Sequence, residues 1–344
     1  MSRLPISWLP TSWLSKSAIR AFAFGILALS GSSAATWGAD TVVFQANWLI
    51  QGENAYMVAG REKGFYKEEG IDIDIKRGFG SGDTLKKVVT GAAMVGAADM
   101  GVVMMAMVRE GVPVKCISSE YAYSPQGFWV LDSSSIKSLK DLEGKRVGVT
   151  PGNSLLVYFP LLATANKIDR SKVTFVTMEA SALLPTLLAG QIDAMPGFAT
   201  NFELRNIETA AQGKPMRAFP FAENGLKVSG ECQFVSTATI KEKPDLLKRY
   251  MRATHKSLRW AKENPEETAK IISSFYPELK EASVLTNHNA FMKYVFTDTT
   301  DTTGLGGFDM AQVQRTFDAM KAAQNISASP DVSTFIDASF LEKK

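Results

Sequence analysis

Lys67-Glu-Glu-Gly-Ile-Asp-Ile-Asp-Ile75 sets the architecture of this chain. The charged run closes a helix over Ala55–Glu69, and Gly70 supplies the stop. Strict alternation of Ile71, Ile73 and Ile75 with Asp72 and Asp74 predicts a strand with one polar face. Upstream, Thr41-Val-Val-Phe-Gln-Ala46 reads as a strand ending in Asn47-Trp48. Downstream, the loop Gly78-Phe-Gly-Ser-Gly82 leads into a helix Asp83–Thr90, with Ser81 placed to cap it. Strand, helix, strand, loop, helix is the grammar of α/β folds.

The rhythm persists. Met94–Ala98 and Val114–Ser118 read as strands around a helix Val102–Glu110, and Phe128–Leu131 is a short apolar strand. After a polar linker (Asp132–Ser138), a second cycle runs through the strand Arg146–Thr150, the loop Pro151-Gly-Asn-Ser154 and the helix Leu155–Asn166. Val173–Thr177, Leu183–Ala189, Ile192–Met195 and Cys232–Ala238 complete it. The remainder is helical, and in its first helix Leu247, Tyr250, Met251, Thr254, Leu258 and Ala261 form one apolar stripe at 3.6-residue spacing. Two α/β cycles predict two lobes facing each other across a cleft, with the helical run packed back on the first lobe.

With 344 residues, 45% hydrophobic and 21% charged, the composition excludes a disordered or collagen-like chain. At about 150 residues per domain the length suits two domains. Residues 1–39 differ in kind: they hold Arg3, Lys16 and Arg20, no acid, and the apolar run Ala21–Leu29 followed by small residues. These are the parts of a cleavable secretory signal, with the cut expected after Ala35 and Ala39 as the alternative end. Arg3, Lys16 and Arg20 account for the whole excess of 38 basic over 35 acidic residues, so charge offers no reason to expect nucleic acid. The remainder is expected to be periplasmic and monomeric. Cys116 and Cys232 both lie in apolar strand-like stretches, which favours buried free thiols over a disulfide.

Catalytic patterns are missing from the sequence. It has no HExxH, paired CxxC, GxSxG or GxxxxGK[ST] pattern, and no cofactor or metal is expected. His255 and His288 fall in the late helices, where helix packing or surface exposure explains them. Two loops of one kind remain, Gly80-Ser81-Gly82 and Pro151–Ser154, each between a strand and a helix. Their N–H groups and the helix dipole suit a hydrogen-bonding or anionic group, and the same loops also serve as plain caps. Trp48 stands at the carboxyl end of a strand, where open α/β sheets bind ligands; packing at a rim explains it equally well. Asp99 and Glu179 also follow strands.

Glu62-Lys-Gly-Phe-Tyr-Lys-Glu-Glu-Gly-Ile71, Ser138-Leu-Lys-Asp-Leu-Glu-Gly-Lys-Arg-Val-Gly-Val149, Leu188-Ala-Gly-Gln-Ile-Asp-Ala194 and Asp331-Val-Ser-Thr-Phe-Ile-Asp-Ala-Ser-Phe340 together resemble the nitrate/sulfonate/taurine and thiamine-pyrimidine branch of ABC-transporter substrate-binding proteins. The resemblance implies a type II periplasmic binding protein: two Rossmann-like lobes, residues 40–130 plus 236–344 and residues 131–235, hinged near Phe128–Leu131 and Phe234–Ser236. It implies a ligand held between Asn47, Trp48, Gly80, Ser81, Asp99, Gln126, Thr150, Asn153, Ser154, Glu179, Gly197 and Phe198. The ligand would be a sulfonate, a pyrimidine or an aromatic acid, delivered to an ABC permease and its ATPase; for a small anion, Arg77 is the nearby cation. The family also contains a eukaryotic pyrimidine-synthesising enzyme with an active-site histidine and a cysteine-rich motif. This chain has no histidine before His255 and no such cluster. A sensor subunit presenting its ligand to a receptor kinase is a further reading.

Overall fold

The computed structural model describes residues 38–342; the expected signal segment lies outside the described residues. A five-stranded sheet is built from β1 (Asp40–Gln45), β2 (Ile71–Lys76), β3 (Val95–Asp99), β4 (Val114–Ser119) and β10 (Glu231–Ser236). Its order is β2-β1-β3-β10-β4, with β1 parallel to β2 and β3, and β10 antiparallel to β3 and β4. A second group holds the antiparallel sheet β8-β5-β9 and the parallel pair β6-β7. Here β5 is Gln126–Leu131, β6 Arg146–Val149, β7 Thr174–Thr177, β8 Met195–Phe198 and β9 Met216–Pro220. A bridge from Val147 to Ala194 joins the two pieces of this group.

The Ile/Asp alternation of β2 becomes Ile71, Ile73 and Ile75 buried under helices, with Asp72 exposed. Every residue of the stripe on the helix Pro244–Glu263 is buried, against the helix Ala55–Glu62 and the five-stranded sheet. Large apolar side chains buried this way contribute about 1.5–3 kcal/mol each. The late helices do pack on the first group of strands, as the sequence predicts. The helix Met310–Ala323, however, also touches the helix Leu155–Ala165 of the second group.

Several expectations need correcting. The predicted helix Ala55–Glu69 is broken at Gly64 (φ 82°), where a left-handed turn separates Ala55–Glu62 from Phe65–Glu68. Ser81 is not a cap: the helix begins at Ser81 itself and Gly80 takes the cap position at φ 127°. β5 pairs only with β8 and β9, and β10 lies between β3 and β4. The chain therefore crosses between the two groups at residues 120–125 and 221–230, not at Phe128–Leu131 and Phe234–Ser236. The cysteines are not free thiols: Cys116 and Cys232 form a disulfide, Cα–Cα 5.7 Å. A register shift at Gln233/Phe234 in the β4–β10 pairing sets two buried sulfurs of neighbouring strands together. That neighbourhood is a property of the sheet and not of either strand.

Candidate functional site

A cavity of about 330 Å³ opens between the two groups of strands. Strand residues and the loops that follow strands supply much of its wall. Asn47 and Trp48 follow β1, Gly80 and Ser81 follow β2, Gln126 and Trp129 come from β5, and Gly197 and Phe198 end β8. Asn153 and Ser154 arrive on the Pro151–Ser154 loop. Nine of the sequence-predicted residues thus line one space.

The other three stand elsewhere. Asp99 sits behind the wall, fully buried, accepting from Ser81 Oγ at 2.9 Å and from Gln126 Nε2 at 2.5 Å. Gln126 Nε2 also reaches Ser154 Oγ at 2.9 Å, so this one carboxyl ties together Ser81, Gln126 and Ser154 from both strand groups. Thr150 holds the loop, donating to Phe79 O at 3.3 Å. Glu179 is exposed and outside the cavity: it takes the extended cap position ahead of the helix Ala180–Leu188, and Ala180 and Ser181 line the space in its place. Arg77 also points away, its guanidinium 4.3 Å from the Phe79 ring.

Several lining residues carry no local signal. Glu53 lies in a short 3-10 turn, Gly52–Asn54, and Asn201 and Arg205 on the helix Ala199–Ala210, a stretch with no motif to mark it. Leu183, Leu184, Pro185 and Met195 add apolar wall. Trp129 is packed with Leu183 and Met195, and Trp48 leans on the same cluster. Gly197 has a specific reason to be glycine: a Cβ there would lie 2.3 Å from the Trp129 ring, so its absence lets the indole lie flat on β8.

Glu53 is the acid in the wall of this space, and three more carboxyls are buried in the protein. Glu53, Asp99, Glu120 and Glu231 are all buried, and none of the ion pairs among the described residues reaches them. Asn47 Nδ2 donates to Glu231, and Tyr56 OH donates to Glu120 at 2.6 Å. Burial, which penalises the charged form, raises all four carboxyls above their ordinary range. Glu53 rises to about 7, with donors from Tyr121, Thr200 and Asn201 partly opposing the shift. Arg205 is the guanidinium in the wall, and it pairs with Glu208 at 2.9 Å. Neither histidine is there. His288 is buried within 3.1 Å of Ala261 O, and burial lowers the His255 imidazole to about 4.

Backbone contacts close one side of the cavity. Gly82 N donates to Gly152 O at 3.1 Å. A Cβ on Gly80 would stand 2.8 Å from that same carbonyl oxygen. On another side Asn287 bridges, accepting from Glu53 N at 2.9 Å and donating to Thr200 O at 2.9 Å.

A cleft lined by strand ends, between two groups of strands whose chain crosses twice, defines the periplasmic-binding-protein fold. The alkanesulfonate-binding protein SsuA of Xanthomonas axonopodis pv. citri, solved bound to MOPS, superposes with a TM-score of 0.63 at 13% identity, covering 86% of this chain and 97% of that one. Residues 51–268 match the family described as NMT1/THI5 like, and the chain belongs to that family. It is similar to the riboflavin-binding protein RibY of Chloroflexus aurantiacus, 26% identical over 80% of this chain and 79% of the relative. It is also similar to a 4-amino-5-hydroxymethyl-2-methylpyrimidine phosphate synthase of Legionella pneumophila, 27% identical over 70% and 75% respectively. The relatives of this chain thus include one named for binding and one named for synthesis.

Proposed function

We propose that this protein is an extracytoplasmic solute receptor that binds a planar organic molecule and delivers it to an ABC importer. The observation that carries the reading is the cavity itself: Trp48, Trp129 and Phe198 offer flat apolar surface, with Asn47, Ser81, Gln126 and Glu53 as hydrogen-bonding groups. That is the pattern of a small-molecule site, mostly apolar with a few placed polar groups. Of the ligand classes the sequence suggests, a pyrimidine or other heteroaromatic suits this wall better than a sulfonate or nitrate, because Arg77 is not in the lining, Glu53 is, and the Arg205 guanidinium in the wall is paired with Glu208. Residues 120–125 and 221–230 would act as the hinge, and closure would be stabilised by ligand contacts to both lobes. The closed monomer would dock on an inner-membrane permease driven by its ATPase. The leader-like residues 1–35 support a periplasmic location, and no helix of the described residues is long and apolar enough to cross a membrane.

The synthase relative keeps an enzymatic reading in view, but no histidine or cysteine lines the cavity. A thermal-shift screen of pyrimidines, flavins, aromatic acids, sulfonates and nitrate tests the receptor reading. Ligand at about 100 times Kd adds about 2.7 kcal/mol, several degrees in Tm. Turnover of a pyrimidine precursor, or no stabilisation by any class, would overturn it.

A further inference from the structure

Among the described residues, every hydrogen bond from a side chain of residues 126–220 to a side chain of the opposite strand group ends on one of two carboxyls. Asp99 accepts from Gln126 Nε2 at 2.5 Å. Glu53 Oε2 accepts from Thr200 Oγ1 at 3.3 Å and from Asn201 Nδ2 at 3.5 Å. No ion pair among the described residues joins the two sides. Asp99 and Glu53 are 0% and 4% exposed, so the seam between the lobes holds two buried acids with no cation paired to either. Separating the lobes removes their partners and lets water reach both groups.

We propose that these two carboxyls make closure of the lobes a proton-uptake step, so that acid shuts the cleft and alkali loosens it. The inference rests on the hinge motion of the receptor reading and adds a regulation to it. In the closed form burial disfavours the carboxylate, and in the open form water restores the ordinary range. Burial holds Glu53 at about 7 against an ordinary 4.5, and the same cause shifts Asp99 the same way. Between the two values the closed form keeps a proton that the open form has lost. The closed-to-open ratio therefore rises about tenfold for each pH unit descended through that window, and it is level above it. Any ligand that needs the closed form inherits this dependence, whatever its own charge.

The other titratable groups at the seam leave the sign unchanged. Tyr121 donates to Glu53, Tyr56 donates to Glu120, and Tyr158 lies near Asp99. Burial raises all three hydroxyls well above their ordinary value, so they stay protonated, as does Tyr294 behind Tyr121, at about 12. Glu120 and Glu231 are also raised by burial. They accept from Tyr56 and Asn47 of their own side, so opening leaves those bonds in place. On the helix Glu281–Val295, packed against the turn that carries Glu53, His288 lies 3.3 Å from Gly52 O, and burial lowers its imidazole. Arg205, on the helix that carries Asn201, pairs with Glu208 at 2.9 Å. On the helix Ser81–Val89, packed against the strand of Asp99, Asp83 and Lys87 pair with each other at 2.8 Å.

Two amides report opening directly. Gly82 and Gly101 lie in the first turns of their helices, where no intrahelical acceptor exists. Their N–H groups donate across the seam, to Gly152 O at 3.1 Å and to Tyr158 Oη at 3.2 Å. The test is amide hydrogen exchange of the full chain, without ligand, at pH 5–8, each rate divided by the intrinsic rate of that amide at that pH. The opening constant at both amides is expected to rise about 50-fold from pH 5 to pH 8. Both should exchange faster than amides of the β1–β2 ladder, so that opening and not global unfolding is read. Glu53→Gln keeps the size and removes the titration, and should cut the rise at least about fivefold. A wild-type change under about threefold, an opening constant that falls as pH rises, or an undiminished rise in Glu53→Gln would overturn the proposal. Should the variant fail to fold, the wild-type profile decides. Unprotected exchange of both amides at every pH means that the lobes do not close unaided: the inference then falls, while the receptor reading stands on its ligand screen. The expected profile beside a screen in which nothing binds overturns the receptor reading and leaves the response of the seam to pH in place.

Discussion

Reducing the Cys116–Cys232 bond should cost this protein a large part of its stability without touching the cavity. The bond closes a loop of 116 residues, and that loop contains all of β5 to β9. It therefore clamps the strands by which the chain leaves the five-stranded sheet and returns to it. A cross-link over a loop of this size removes denatured-state entropy worth about 5 kcal/mol. Whole domains are stable by only about 5–15 kcal/mol. The comparison uses the same side chains in both states: protein refolded oxidised, and protein reduced in denaturant and refolded with reductant present. Urea unfolding followed by tryptophan fluorescence should show the midpoint falling by more than about 1 M, taking m near the upper end of about 1–3 kcal/mol/M. Neither cysteine lines the cavity, so ligand affinity of the refolded reduced protein should stay within about threefold, a difference of well under 1.4 kcal/mol. A stability change below about 1 kcal/mol would refute the loop-entropy reasoning, and lost affinity in a still-folded reduced protein would refute the separation of bond and site.

Three more outcomes can be checked. Stability should rise as pH falls from about 7 toward 4.5: Glu53 is raised from 4.5 to about 7, the native state binds more protons than the unfolded chain in that window, and at about 1.4 kcal/mol per pH unit Glu53 alone contributes about 3 kcal/mol. A Tm that falls between pH 7 and pH 5 would contradict this. Gly82→Leu places a side chain where Cβ would already meet Gly152 at 3.2 Å and wedges apart the contact that closes the cavity on this side; ligand should bind at least about tenfold more weakly, about 1.4 kcal/mol or more, as read by calorimetry. Trp48→Ala should cost affinity with little stability, because Trp48 is only half-buried. Trp129→Ala should lower stability by about 3–5 kcal/mol, since that indole is core, and denaturation curves of the two variants would separate the roles.

The sequence by itself determined what depends on neighbours along the chain. Alternation at Ile71–Ile75 and the stripe from Leu247 to Ala261 follow from the fixed side-chain periods of strand and helix, and both appear in the structure as written. Strand ends line the clefts of α/β sheets, which marked Trp48 and the loops Gly80–Gly82 and Pro151–Ser154 as candidates; the family resemblance grouped them, and the structure sets Trp48, Gly80, Ser81, Asn153 and Ser154 around one cavity. Only the tertiary structure decided what depends on adjacency across the fold. β10 enters the first sheet between β3 and β4 and thereby makes a disulfide of two residues that each read as a buried thiol. Glu53, Asn201 and Arg205 come from a 3-10 turn and a helix without a motif, and reach the cavity by packing alone. The same packing turns Glu53, Asp99, Glu120 and Glu231 from ordinary surface-type acids into buried ones. A carboxyl's charge state is set by the dielectric and the donors around it, and no local pattern encodes those.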